Sequence, residues 1–276
     1  MAFTIVGDAA IVSGDCSNSR KAAVFTGGNT DDYYQINDLA TDRVTANDTA
    51  GTITAWVCPG DITSTMSIIN FGDNDVVEFI EVNIEAGKLA CRCTDATTAQ
   101  FVAVSGAVNC PAHQWTHIAV RQPGSGEGIK LFVNGLKVAS TNSTTTDIFE
   151  WFNNCDGIDK GVIGAANKSG NAAITQEFVG GISDVKYWNS ALTDAQILAD
   201  AKLGGYSTGA ISWYDMSSLL DLGSGANNMT EVSDVYLTPT YNEFISKVRQ
   251  FGAVVADTAG FCEDMGRMSV LVINAA

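Results

Sequence analysis

Residues 113–140, HQWTHIAVRQPGSGEGIKLFVNGLKVAS, decide the fold. Two runs, WTHIAVRQ (115–122) and GIKLFVNGLKVAS (128–140), alternate apolar and polar residues with the period of a half-buried strand. Between them QPGSGEG (122–128) is rich in the residues that turn a chain. Inside the second run, Asn134 and Gly135 both tolerate the positive φ that a type I′ hairpin turn requires, so another hairpin is expected there.

The same pattern recurs outward from this stretch. KAAVF (21–25), YYQIN (33–37), GTITAWVCP (51–59), MSIINFG (66–72), VVEFIEVNI (76–84), KLACRC (88–93) and QFVAVSG (100–106) precede it. GVIGAA (161–166) and GGISDVKYWN (180–189) follow. Short strands at such spacing across most of a chain predict two packed sheets, because each sheet must bury one face. Two helices stand out. Thr193 and Gln196 form a capping box ahead of Ala195, Ile197, Leu198 and Ala201. Thr240 and Glu243 form another after Pro239, with Tyr241, Phe244, Ile245 and Val248 on one side. SVLVIN (269–274) reads as a last strand.

Composition limits the possible functions. The chain has 276 residues, 46% apolar and 17% charged, which is globular. Its net charge of −16 repels phosphate backbones and anionic membranes, so neither nucleic acid nor membrane is an expected partner. No apolar run approaches the roughly 18–20 residues that span a bilayer. The N-terminal MAFTIVGDAAIVSGD lacks the basic start of a secretory signal. Seven cysteines at irregular spacing, with Cys91 and Cys93 on one face of a strand, read as small buried hydrophobes kept reduced in a cytoplasm.

Several segments resemble the laminin-G-like jelly roll of the concanavalin A-like lectin and glucanase superfamily. GTITAWVCPGD resembles the family's Trp-bearing strand, and residues 113–140 its W-x-H-[IV]-A-V strand and V-N-G strand end. GVIGAA followed by EFVGGISDVKYWNSALTDAQI resembles its closing segment. The matches run in family order over roughly residues 20–203. The resemblance implies an all-β, two-sheet antiparallel jelly-roll sandwich with one or two short helices. Residues 1–230 would form it, and residues 231–276 a C-terminal helix-plus-strand extension packed on the sandwich or on a neighbouring subunit. ISWYDMSSLLDLGSGANNMT (211–230) resembles a segment that often opens such domains, yet here it follows the helix. Trp56, Trp115 and Phe132 are expected to point between the sheets, and His117 to be a satisfied core histidine.

No catalytic pattern emerges. Glucanases of this superfamily carry E-x-D-x-x-E on one strand, and this chain has none. Glu78 and Glu81, three apart, face opposite sides of a regular strand. The nucleophile elbow, the zinc-binding H-E-x-x-H and the phosphate loop are missing, and His113 and His117 are the sole histidines. The expected protein is therefore not an enzyme. It needs no cofactor. Calcium is the cation to consider, because related domains hold it on Asp and Asn loops. Asp73, Asn74 and Asp75 form the densest oxygen cluster, ahead of Asp31 and Asp32 or Asp156 and Asp159, though Asp and Asn equally serve turns.

Two functions follow. The first is a structural virion component, a capsid decoration or tail/fibre protein, made in the host cytoplasm. It would assemble with other virion proteins or with copies of itself, as a homo-oligomer or part of a larger assembly. The second is a glycan-binding lectin module, extracellular or displayed and assisted by calcium, with Tyr33, Tyr34, Trp151 and Trp188 as stacking aromatics at the rim.

Overall fold

The computed structural model describes residues 11–14, 21–27, 32–168, 174–202, 205–232, 236–237 and 268–271. Their strands form two eight-stranded sheets and one two-stranded sheet, and every strand pairing is antiparallel. In the first sheet the order is β11 (Leu136–Lys137), β10 (Lys130–Val133), β9 (Thr116–Gln122), β4 (Gly51–Pro59), β14 (Gly180–Trp188), β2 (Ala23–Phe25) and β17 (Tyr236–Leu237), with β15 (Ser212–Tyr214) also on β14. In the second it is β12 (Ser140–Thr145), β8 (Thr98–Ser105), β7 (Lys88–Asp95), β6 (Phe79–Glu85), β5 (Met66–Gly72), β13 (Lys160–Ile163), β3 (Tyr33–Gln35) and β16 (Thr230–Val232). Neighbours distant in sequence, such as β4 beside β14, make this a jelly-roll sandwich. β1 (Ile11–Gly14) pairs with β18 (Met268–Leu271), which overlaps the strand expected at 269–274.

The core lies between the sheets. Ile53, Ala55 and Val57 of β4 and Ile118 and Val120 of β9 meet Ile80, Val82 and Ile84 of β6 and Leu89, Cys91 and Cys93 of β7 in one buried cluster. Burying alternate side chains of both sheets supplies most of the driving force, at about 25 cal/mol per Å² of apolar area. Phe25, Tyr34 and Phe178 on one side and Phe71, Phe152 and Tyr187 on the other make edge-to-face contacts within this layer.

Local sequence signals hold where they are self-contained. Asn134 (φ 50°) and Gly135 (φ 78°) make the turn between β10 and β11. Thr193 and Gln196 make the capping box of α2 (Asp194–Asp200). The helix expected after Pro239 lies outside the described residues. A helix that the sequence reading missed, α1 (Asn37–Ala46), follows β3 and buries Leu39, Ala40 and Arg43. It has no side-chain cap and only a weak apolar stripe, so packing rather than local preference fixes it.

The aromatic expectation is corrected by one face. Ile53, Ala55 and Val57 occupy the inner face of β4, so Trp56 points outward and packs edge-on against His117 (5.4 Å). Phe132 also faces outward, beneath α2 with Trp188, Leu192 and Ile197. Trp115 lies against Gly181, where a Cβ would come within 2.8 Å of its ring. Both faces of the first sheet are therefore covered, and β14 is buried along its whole length.

A buried ionic network fastens that outer layer. Asp200 of α2 accepts from Thr54 Oγ1 (2.6 Å), Lys186 Nζ (2.7 Å) and Tyr206 N–H (3.1 Å), and lies 3.1 Å from His117 Nε2. Burial alone would raise the Asp200 carboxyl, but His117 and Lys186 hold it well below the usual carboxylate range. Lys186 also donates to Asp184 (2.8 Å), and Trp213 Nε1 donates to the other Asp184 oxygen (2.5 Å). His117 is thus buried on the outer side of the first sheet, with Nε2 bonded to Asp200 and Nδ1 without a partner, so it is half satisfied where a satisfied core histidine was expected.

Candidate functional site

The outer face of the second sheet carries a row of polar side chains with little water contact. On β6, Ile80, Val82 and Ile84 point into the core, so Phe79, Glu81, Asn83 and Glu85 point outward. On β5, Ser67 pairs with Asn83 and Asn70 with Glu81. Ser67 and Asn70 are three apart, yet both join the outward face, because a bulge between Ser67 and Ile69 adds a residue. On β7, Arg92 pairs with Glu81. Ser67, Asn70, Glu81 and Asn83 are all fully buried.

A distant segment covers them. Ala166 and Thr175 form an antiparallel bridge, and Asn167, Lys168 and Gln176 lie against the row. Gly72 permits the close approach, since a Cβ there would stand 2.1 Å from the Asn167 carbonyl oxygen. Asn167 N–H donates to Asn70 Oδ1 (2.9 Å), and Ser67 N–H donates to the Gln176 carbonyl (2.7 Å). Lys168 Nζ reaches Glu81 Oε2 (2.8 Å) and also sits 5.2 Å from the Phe79 ring centre. Arg92 pairs with Glu85, and both remain partly exposed at the rim.

The bonds do not use up the polar atoms. Asn70 Nδ2, Glu81 Oε1, Asn83 Oδ1, Asn167 Oδ1 and Gln176 Oε1 are buried and meet no protein hydrogen-bond partner. The Ser67 hydroxyl lies beside the Glu81 carboxylate and favours its charge without reaching hydrogen-bond geometry. Burial raises the Glu81 carboxyl more than Lys168, Arg92 and Ser67 lower it. Each buried polar atom left without a partner costs about 1–3 kcal/mol, and native proteins rarely cluster them. Buried polar atoms of this kind are met in a folded protein by ordered water or a bound group.

The residues singled out by sequence lie elsewhere. Trp151 and Trp188 are in the interior: Trp151 packs on Phe152 and donates to Tyr187 OH (3.4 Å), and Trp188 donates to the Thr208 carbonyl and stacks on Tyr206. Tyr34 is buried beside Phe25. These three rings have no face free for a sugar, which corrects the expectation for them. Their loops and strands fold back over the core, so polar neighbours in sequence did not mean exposure. Tyr33 is half-buried.

Asp73, Asn74 and Asp75 form a turn. Asp73 Oδ1 accepts the Asp75 N–H (2.6 Å), and Asp159 Oδ1 accepts the Asn74 N–H (3.0 Å). Asp32 accepts from the Thr26 hydroxyl (2.6 Å). Among the described residues no group of three or more His, Cys, Asp or Glu side chains is arranged to hold a metal ion, and no helix is long and apolar enough to cross a membrane. Glu78 and Glu81 are separated as expected: Glu78 precedes β6 and accepts from Gly157 N–H (2.8 Å), while Glu81 stands in the outward row.

The signal that could have found the site was the alternation I-E-V-N-I, with Glu81 and Asn83 between core residues. The bulge in β5 and the covering segment left no such signal.

Comparison with known proteins places this geometry in a family. The chain belongs to the concanavalin A-like lectin/glucanases superfamily, whose sequence profile matches residues 27–198, more than half of the chain. No curated protein matches it in sequence. Among solved structures it is similar to the CBM40 domain of the Ruminococcus gnavus IT-sialidase bound to α2,3-sialyllactose, at 16% identity and a TM-score of 0.53, covering 68% of this chain and 100% of that one. It is also similar to part of a variant of the NanB sialidase of Streptococcus pneumoniae, at 17% identity and a TM-score of 0.51, covering 69% of this chain and 28% of that one. At such identities the likeness is one of fold, a lectin-like jelly roll.

Proposed function

We propose that the protein is a non-catalytic, lectin-type module that binds a glycan. The observation that carries this reading is the concanavalin A-like jelly roll itself, the fold of a carbohydrate-binding domain seen with a bound sialyllactose. Phe79, half-buried at the end of the row, adds an apolar surface of the kind sugar rings stack on. Carbohydrate-binding relatives of the same fold agree with the reading. Hydrolysis needs two cooperating carboxylates. Here Glu81 is flanked by Asn70, Asn83 and Ser67, and Glu85 is bound to Arg92. A glycan array followed by calorimetry tests the proposal. Saturable binding supports it, and silence across the array at millimolar sugar defeats it.

An assembly role in a virion, or with further copies of the chain, is a separate proposal resting on the sequence. Mass spectrometry of purified particles from the native source decides it by the presence or absence of this chain.

A further inference from the structure

We infer that Cys93 and Cys155 are the two ends of a disulfide that forms as the chain folds in the presence of a small-molecule disulfide, and that this bond fastens the loop over residues 146–159 to the second sheet. The two sulfurs are 62 residues apart in the chain yet stand in contact at 3.4 Å. Both side chains are fully buried in the core between the sheets. A disulfide holds its sulfurs about 2 Å apart, so the pair has to close by roughly 1.4 Å. Cys93 is held on β7 between Ile80 of β6 and Phe101 of β8. Cys155 stands in irregular chain, where its N–H donates to the Trp151 carbonyl (3.0 Å) and its thiol lies 4.0 Å from Glu150 Oε1. The loop rather than the sheet supplies the movement. Cys91 shares the inner face of β7, but positions two apart on one strand are about 7 Å from each other, at the limit of disulfide reach.

No oxidant has to reach the buried pair. In the folded chain the two thiols are shut off from solvent, and burial raises the Cys93 thiol well above its ordinary range. The chemistry therefore starts before the loop docks, while Cys155 is still open to water. Its thiolate attacks one sulfur of the small disulfide, breaks that S–S bond and expels the first small thiolate, leaving a mixed disulfide. Trp151 and Phe152 of the same loop belong to the core cluster that holds both sulfurs, so docking these rings brings Cys155 to Cys93. The Cys93 thiolate then attacks the Cys155 sulfur and expels the second small thiolate. The two cysteine protons end on the two small thiols released. The cysteine pair is oxidised by two electrons and the small disulfide is reduced by two. The finished bond closes a long loop of chain, which removes conformational freedom from the unfolded state and so favours the folded one.

The test refolds the full chain from urea, in one arm into a mixture of reduced and oxidised glutathione and in the other into reductant. Free thiols are then alkylated in urea, and linked peptides are mapped by mass spectrometry. The expected product of the glutathione arm is a folded protein, by tryptophan fluorescence, lighter by two hydrogens and with Cys93 joined to Cys155. Its melting temperature should lie about 5–15 °C above that of the reduced protein. Cys155→Ser should melt at the same temperature from both arms. Folded protein from the glutathione arm in which Cys93 and Cys155 are both alkylated overturns the inference. So does a predominant cross-link from either residue to another cysteine. A Cys93–Cys155 product that melts no higher than the reduced protein, or that fails to fold where the reduced chain folds, overturns it as well. The wild-type mapping stands without the variant, so a misfolded variant does not weaken the test.

Discussion

Glu78 should make the protein less stable as the pH rises from acid to neutral. The residue is 3% exposed, and its Oε1 accepts the Gly157 N–H. Burial raises its carboxyl most. The Gly157 bond opposes this, and Asp95 adds to it by hydrogen bonding and like charge, so the pKa rises from 4.5 to about 7. Asp73 also lies close to Gly157, where an added Cβ would meet its carboxylate as well as Glu78 Oε1. Glu150 and Cys155, bonded weakly to each other, lie in the same covering loop. A carboxyl with a raised pKa binds its proton more tightly in the folded chain. Its contribution is fully present below about pH 4.5 and is lost as the pH climbs to about 7. At about 1.4 kcal/mol per pH unit the loss is at most about 3 kcal/mol. Glu78→Gln keeps an acceptor for Gly157 and a donor for Asp95, and cannot ionise. Urea unfolding followed by tryptophan fluorescence, from about pH 5 to about pH 8, should show the variant gaining on the wild type by about 1–3 kcal/mol across that range. Parallel stability curves for the two proteins would refute the reasoning.

Asp200→Ala should cost about 3–5 kcal/mol in the same assay, because it strips buried Lys186 of one of its two carboxylates; a loss under about 1 kcal/mol would mean the network contributes little. Gly135→Val should destabilise by about 1–3 kcal/mol, since φ is 78° there and a Cβ would meet Leu198 Cα at 2.9 Å; an unchanged urea midpoint would contradict this. Cys58, Cys91, Cys93, Cys110 and Cys155 should resist a thiol reagent until urea is added, because they are buried, and burial lifts the Cys110 thiol to about 12; labelling of any of the five in the native protein, mapped by mass spectrometry, would contradict this. Calcium added after EDTA treatment should leave the melting temperature within about a degree, because the oxygens of residues 73–75 serve their own turn; a rise of several degrees would reinstate a cation site.

Much of the fold was legible because its signals are local. Alternation marked most strands, the Asn134-Gly135 pair marked a hairpin, and Thr193 with Gln196 marked a helix start. The candidate site was only half legible. Glu81 and Asn83 alternate visibly with core residues, but Ser67 and Asn70 reach the same face through a bulge. Trp151 failed as a site residue because a polar stretch of sequence folds over the core and buries it.

The sequence by itself determined an all-β sandwich, its family and the lack of a known catalytic pattern. It could do so because strand period, turn chemistry and caps depend on neighbours a few residues apart. Only the tertiary structure decided which face of each strand is the core and which polar groups are left without partners. Alternation tells two faces of a strand apart but cannot say which is inside when both are covered, as on β5 and β14. The polar row acquires its meaning from Asn167, Lys168 and Gln176, which arrive from about a hundred residues away along the chain and shut water out.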